Sequence, residues 1–410
     1  MKILLKSATI IDIHSTLHNK KRDILIDKGE IIKIGTNLID AKAKEVKANS
    51  LCISPGWVDM KAKIPDPGFE YKDTVQSSLD AALKGGFKYV VAMPDTDPVI
   101  DNKSQVEYLL SRSKSHAVRI LPSGALSQGM QGKLLAEMYD MHQHGAILFS
   151  DNKKSVGTEM MTRALEYAQN FNGLIGSFPF DTGVNPGGMV NESNISVQMG
   201  LKGLSSSSEE IRLQRDIELL KYTKGRMHVM LISTEGSVEL IRKAKKAGLR
   251  ITCGIAAHQL AFMDKDVADF DSNLKVLPPF RQSQDIKALI KGLKDGTIDV
   301  ICSDHEPEDH EHKALEFEYA NYGISSIQTA AHVAFSVLYK EMSVDQIVEK
   351  ISTNPAKILG IEYPVVREGQ KGPWTIFSLG TEQSFGISGW KSLSRNSPFI
   401  EKSFPIEVIS

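Results

Sequence analysis

Tyr89-Val90-Val91-Ala92-Met93, closed by Pro94-Asp95 and followed by helical spacing over 104–115, is the unit that decides the fold of this chain. A run of this length, rich in β-branched residues, suits a buried strand and is far short of the roughly 20 residues that span a bilayer. The unit recurs in both directions. Short apolar runs stand at about 53–60, 88–94, 118–124, 146–151, 173–178, 226–232, 249–255 and 299–304. Helical patterns near 74–86, 104–115, 131–144, 157–171, 208–223, 236–247 and 283–296 separate them. Eight strands joined by helical crossovers predict an α/β chain built as a (β/α)8 barrel.

The two ends have another texture. Asp23-Ile24-Leu25-Ile26-Asp27, Lys28-Gly29 and Glu30-Ile31-Ile32-Lys33-Ile34 alternate like a hairpin, and Trp374-Thr375-Ile376-Phe377 alternates near the C-terminus. Residues 1–52 with 362–410 are therefore expected to pair into one small β domain beside a barrel domain of 53–361, with further helices near 325–340 and 353–360. Ser207-Ser208-Glu209-Glu210 reads as a capping box that opens a barrel helix.

The 410 residues carry 49 Lys and Arg against 50 Asp and Glu, with 41% hydrophobic residues, the balance of a globular chain. A net charge of −1 supplies no field for holding nucleic acid or an anionic membrane, so a small molecule or a protein is the expected partner. The opening Met1-Lys2-Ile3-Leu4-Leu5-Lys6 is too short an apolar stretch for a signal peptide. Together with an odd set of cysteines, Cys52, Cys253 and Cys302, it points to the cytoplasm.

In a barrel the loops after the strands build the active face. The strand ends here are Asp59-Met60-Lys61-Ala62-Lys63, Pro94-Asp95, Ser150-Asp151, Phe178, Leu231, Ala257-His258 and Asp304-His305. Lys61 and Lys63 are expected to share one mouth with Asp151 and Asp304.

The same positions carry a resemblance. Pro55-Gly56-Trp57-Val58-Asp59, Gly85-Gly86-Phe87, Met93-Pro94-Asp95-Thr96-Asp97-Pro98, Phe149-Ser150-Asp151, Ile232-Ser233-Thr234, Pro278-Pro279-Phe280-Arg281, Gly296-Thr297-Ile298-Asp299, Ser303-Asp304-His305 and Asn354-Pro355-Ala356 resemble, in order and spacing, the signature blocks of the dihydroorotase family of the amidohydrolase superfamily. The resemblance implies a zinc-bearing barrel that opens or closes the cyclic amide ring of dihydroorotate in pyrimidine synthesis.

The departures bear on function. Where the family has His-x-His after the first strand, this chain has Lys61-Ala62-Lys63, and Pro65 replaces an arginine that grips the substrate carboxylate. Phe178 and Leu231 align with two further ligand histidines, and His228 holds a non-ligand position. Of the ligand set the carboxylates Asp151 and Asp304 remain. At substrate positions Asp95 and Leu277 replace asparagines and Glu308 replaces a histidine, whereas His258, Arg281 and His305 are retained.

Zinc takes imidazole, thiolate or carboxylate donors, three or four per ion, and an ammonium has no lone pair to offer. No catalytic zinc and no other cofactor is therefore predicted. Lys61 and Lys63 instead bring two positive charges to face Asp151 and Asp304, a replacement of charge that keeps the barrel without its chemistry. Two functional readings follow. In the first the chain is a dihydroorotase homologue without hydrolase activity, and the resemblance implies a structural role beside aspartate transcarbamoylase and, by analogy, a homodimer. In the second it is a dihydroorotase or related cyclic-amide hydrolase with an altered site, Asp304 acting as general base and a lysine as electrophile. A Schiff-base role for Lys61 or Lys63 is a further alternative.

Three other features are expected to be structural. The tract Asp304-His305-Glu306-Pro307-Glu308-Asp309-His310-Glu311-His312 reads as a solvated loop, with a metal tract as the alternative. Arg242, Lys243, Lys245 and Lys246 form a basic helix face, either solvated or a patch for a protein partner, and Asn185-Pro186-Gly187-Gly188 lacks the Lys-Ser/Thr of a phosphate loop.

Overall fold

The computed structural model describes residues 2–409. The chain opens with β1 (Lys2–Ile10), β2 (Lys21–Asp27), β3 (Glu30–Gly35), β4 (Lys44–Val46) and β5 (Leu51–Pro55). The barrel then begins. Its strands are β6 (Trp57–Ala62), β7 (Phe87–Ala92), β8 (Arg119–Gly124), β9 (Leu148–Phe149) and β10 (Ile175–Ser177) and, after a two-stranded excursion of β11 (Val190–Asn191) and β12 (Gly203–Leu204), β13 (Met227–Val229), β14 (Ile251–Ala256) and β15 (Val300–Cys302). The closing strands are β16 (Trp374–Ser384) and β17 (Ser403–Ile409).

The eight barrel strands run parallel from β6 round to β15, and a parallel bridge between Ala62 and His305 joins the two ends. The remaining sheet has the order β17-β16-β5-β1-β2-β3, with β4 on β1, so both chain ends meet in it. This is the α/β barrel that the repeat predicted.

Side chains alternate along each barrel strand because a strand has a period of two. Val58, Met60, Tyr89, Val91, Met93, Met230, Val300 and Cys302 fill the barrel interior, while Trp57, Phe87, Val90, Ile175, Val229 and Ile301 pack outward under the helices. Those helices are α1 (Val75–Lys84), α2 (Lys103–Ser113), α3 (Met138–Gln143), α4 (Thr158–Ala168), α5 (Asn194–Met199), α6 (Ser207–Thr223), α7 (Glu235–Lys246) and α8 (Ser283–Lys294), followed by α9 (His310–Lys313), α10 (Ala330–Leu338), α11 (Val344–Ile351) and α12 (Thr353–Leu359). Gly86, at φ +92°, opens β7 where any side chain would strike the Trp57 indole, 2.6 Å from an added Cβ. The large indole of Trp57, fully buried, therefore fixes this glycine.

Three expectations need correction. The apolar run expected at 53–60 is two strands, β5 in the small sheet and β6 in the barrel, parted at Gly56. An added Cβ there would lie 2.8 Å from the Lys88 side chain. Ser207 to Glu210 make no capping box: α6 starts without a side-chain cap hydrogen bond, and Glu209 instead accepts from the Ser233 and Thr234 amides at 2.7 and 3.2 Å. A buried tertiary donor pair outcompetes the local one. Finally, α11 was not anticipated, although Ser343 and Gln346 form the capping box that opens it.

Candidate functional site at the barrel mouth

Lys61 leaves the end of β6 and places Nζ 2.5 Å from Asp304 Oδ1, with both side chains almost fully buried. Asp304 follows β15 with φ at +48°, a strained backbone for a residue with a Cβ, which turns its carboxylate into the mouth. Its second oxygen accepts from Lys153 Nζ at 3.2 Å, and the same ammonium reaches Glu306 Oε2 at 2.5 Å. Lys63 pairs with Asp95 at 3.0 Å, and Lys72 donates to both oxygens of Glu308 at 2.8 and 3.0 Å. Four lysines therefore face four carboxylates.

Burial alone would raise the Asp304 carboxyl, but the Lys153 and Lys61 ammonium charges outweigh it and hold the group below the usual carboxylate range. Asp95 is lowered in the same way, with Lys63 offsetting burial. For Lys153 and Lys63 burial acts downward, and the facing carboxylates overcome it and hold both above the ordinary lysine value. The Lys153–Asp304 and Lys63–Asp95 pairs are thus each held in the ionised form.

The expected pairing of Asp151 with a lysine is overturned. Its carboxylate turns to the loop after β8, where it accepts from the Leu126 and Ser127 amides at 2.9 and 3.0 Å and from the Ser127 hydroxyl. Oriented N–H donors already satisfy it, and no Lys61 or Lys63 ammonium reaches it. The partner missed in the sequence is Lys153, two residues beyond Asp151, together with Glu306 and Lys72. The acidic tract was also misread: Asp304 to Glu308 are buried, and only from His310 to His312 is it fully exposed. Each buried acid of that tract has found a lysine.

The other aligned positions are brought to the mouth unevenly. Phe178 and Leu231 are buried in the apolar barrel core with Met60 and Met93, and neither offers a lone pair. His258 lies 4.0 Å from Asp304 with neither ring nitrogen hydrogen-bonded; burial, only partly opposed by Asp304, lowers it to about 4, so it is neutral. Pro65 and Leu277 contribute no charge, being a buried loop proline and a half-buried side chain. Two retained residues face elsewhere. Arg281 is spent on Ser233 Oγ at 3.0 Å, Asn191 Oδ1 at 2.9 Å and the Leu204 carbonyl at 3.1 Å, so it pins the β11–β12 excursion to the barrel. His305 Nδ1 accepts from the Ser326 amide at 3.1 Å, and its Nε2 lies 3.6 Å from Asp73.

These residues do not fit a zinc centre. Ammonium groups at both oxygens of Asp304 would repel a dication, Asp151 is held by two amides and the Ser127 hydroxyl, and two ligand positions are hydrocarbon. Among the described residues no group of three or more His, Cys, Asp or Glu side chains is placed to hold a metal ion. No helix among them is long and apolar enough to cross a membrane.

A parallel eight-stranded barrel carrying a small sheet from both chain ends defines the fold class of this chain. Known structures agree: L-hydantoinase of Arthrobacter aurescens superposes with a TM-score of 0.85 at 20% identity over 99% of this chain and 93% of that one. Dihydropyrimidinase of Brevibacillus agri gives 0.82 at 17%, covering 100% and 93%. Within that class, a family profile described as dihydro-orotase-like matches residues 51–237. Dihydroorotase of Acetivibrio thermocellus is 39% identical over 97% of this chain and 94% of its own length, and that of Syntrophus aciditrophicus 37% over 100% and 97%. The chain belongs to the dihydroorotase family.

Proposed function

We propose that this chain is a dihydroorotase-family barrel of cytoplasmic pyrimidine biosynthesis that carries out no metal-dependent hydrolysis and serves as a structural or regulatory partner, for example of aspartate transcarbamoylase, itself as a homodimer. The observation that supports this reading is the occupation of Asp304. A general base needs a pKa matched to the proton it takes, whereas the Lys61 and Lys153 ammonium groups, at 2.5 and 3.2 Å, hold the Asp304 carboxyl below the usual carboxylate range and make it a poor proton acceptor. Loss of the donors at Phe178 and Leu231 removes the ion that would activate water.

Metal content of the purified, untagged protein by mass spectrometry after dialysis against a mild chelator tests the first half. Less than a tenth of an equivalent of zinc, iron and manganese is expected, together with no turnover of dihydroorotate. One or two equivalents, or turnover lost in Asp304→Asn, would restore the hydrolase reading. Sedimentation of the chain with purified aspartate transcarbamoylase of the same cell tests the second half, and free migration of the two proteins at micromolar concentration would remove that partner.

A further inference from the structure

The opposite end of the barrel holds an arrangement that the mouth does not explain. Arg226 and Arg250 immediately precede β13 and β14, which pair in register from Met227 with Ile251, so the two arginines stand side by side at the strand starts. Between them lies a cleft of about 160 Å³, walled by Met227, Leu249, Ile358 and Thr252. At about 30 Å³ per water this is room for a group of four or five heavy atoms.

Neither guanidinium is paired with a carboxylate among the described residues. Arg226 gives Nη2 to the Ile358 carbonyl, and Arg250 gives Nη2 to Asn172 Oδ1 at 2.5 Å. Each guanidinium has five N–H donors, so most remain uncommitted. Burial, and then the adjacent charge of Arg250, both disfavour the ionised form of Arg226. His228, one layer further in, is kept neutral, lowered to about 3 by burial and then by Lys245 and Arg226. Two like charges at a recess, with no acid supplied by the fold, lack the counter-charge that buried or clefted arginines ordinarily have.

We infer that the cleft between Arg226 and Arg250 binds a small oxyanion, the phosphate or carboxylate group of a metabolite, at the end of the barrel away from the Asp304 mouth. A planar, forked donor pair matches such oxyanions in two directions at once, which a lysine pair would not. The apolar wall of Met227, Leu249 and Ile358 leaves a place for an uncharged portion of the ligand. The inference does not depend on whether the mouth is catalytic.

The test is calorimetric titration of the purified full chain with inorganic phosphate and, separately, with sodium acetate, each at fixed ionic strength maintained with sodium chloride. One saturable site per chain is expected for at least one of the two anions. Arg250→Gln should weaken it about tenfold or more, the loss of one charge-assisted contact. Arg226→Lys retains the charge but loses the fork, and is expected to weaken binding as well. Tighter phosphate than acetate assigns a phosphate group, the reverse order a carboxylate, and either supports the site. Arg250 is exposed, and an unchanged melting temperature of its variant in chloride shows that the barrel is intact. Heats no larger than the chloride blank for both anions, or equal affinities in the native chain and both variants, would overturn the inference.

Discussion

Lys61 Nζ lies 2.5 Å from Asp304 Oδ1 across 243 residues of sequence, and so ties the end of the first barrel strand to the end of the last. The contact stands beside the Ala62–His305 bridge that closes the barrel, which makes it a closure element.

Lys61→Met should therefore destabilise the fold by about 3 kcal/mol or more, the usual consequence of leaving one buried partner uncompensated. Lys63→Met should have a smaller effect, because Lys63 and Asp95 are 17% and 20% exposed against 4% and 2% for Lys61 and Asp304. Urea unfolding gives the order. Equal losses in the two variants would count against a closure role for Lys61.

Lys153→Met separates two accounts of the mouth. If Asp151 were the carboxylate that needs a lysine, removing Lys153 would matter little. With Asp304 and Glu306 both on its ammonium, the expected loss is again about 3 kcal/mol. Asp151→Asn should instead act through the loop after β8, whose amides its carboxylate holds.

Three buried histidines set the acid limb of stability. Burial lowers His228 to about 3, and His258 and His332 to about 4, below the value near 6.5 of an unfolded chain. Between those values the unfolded state binds more protons, so stability rises with pH through that window and is lost as pH falls below about 6.5. At pH 5 the expected loss is about 2 kcal/mol per histidine relative to pH 7.5. In His332→Gln the urea midpoint should vary less steeply with pH over that range. A slope identical to that of the native chain would show that this histidine is not neutral when buried.

Arg281→Met is expected to free the β11–β12 excursion. Its guanidinium is the common partner of Asn191, Leu204 and Ser233, and Nη2 lies 3.6 Å from Glu209. Limited proteolysis should then cut between residues 180 and 206 faster than in the native chain. Unchanged cleavage would mean that Phe178, Phe180 and Leu204, buried in the core, hold the excursion unaided.

The fold was legible because its signal is periodic and local. Each apolar run of strand length followed by a helical stretch can be read without knowing what it touches, and the repeat dictates a parallel barrel. The loss of the zinc donors was equally legible, since hydrocarbon at Phe178 and Leu231 and ammonium at Lys61 and Lys63 offer no lone pairs in any conformation. The partners of the charges were not. Asp151 turned to amides of the preceding loop, Glu209 left its own helix for Ser233, and Lys153, unremarkable in Asp151-Asn152-Lys153-Lys154, took the second oxygen of Asp304. An ionised side chain buried away from water takes the nearest donors or acceptors with the right geometry, and nearness is set by strands that lie far apart in sequence. The sequence by itself thus determined the barrel, the family and the replacement of its ligand histidines at Lys61, Lys63, Phe178 and Leu231. Only the tertiary structure decided which lysine neutralises which acid, and that two arginines at the far end have no acid partner among the described residues.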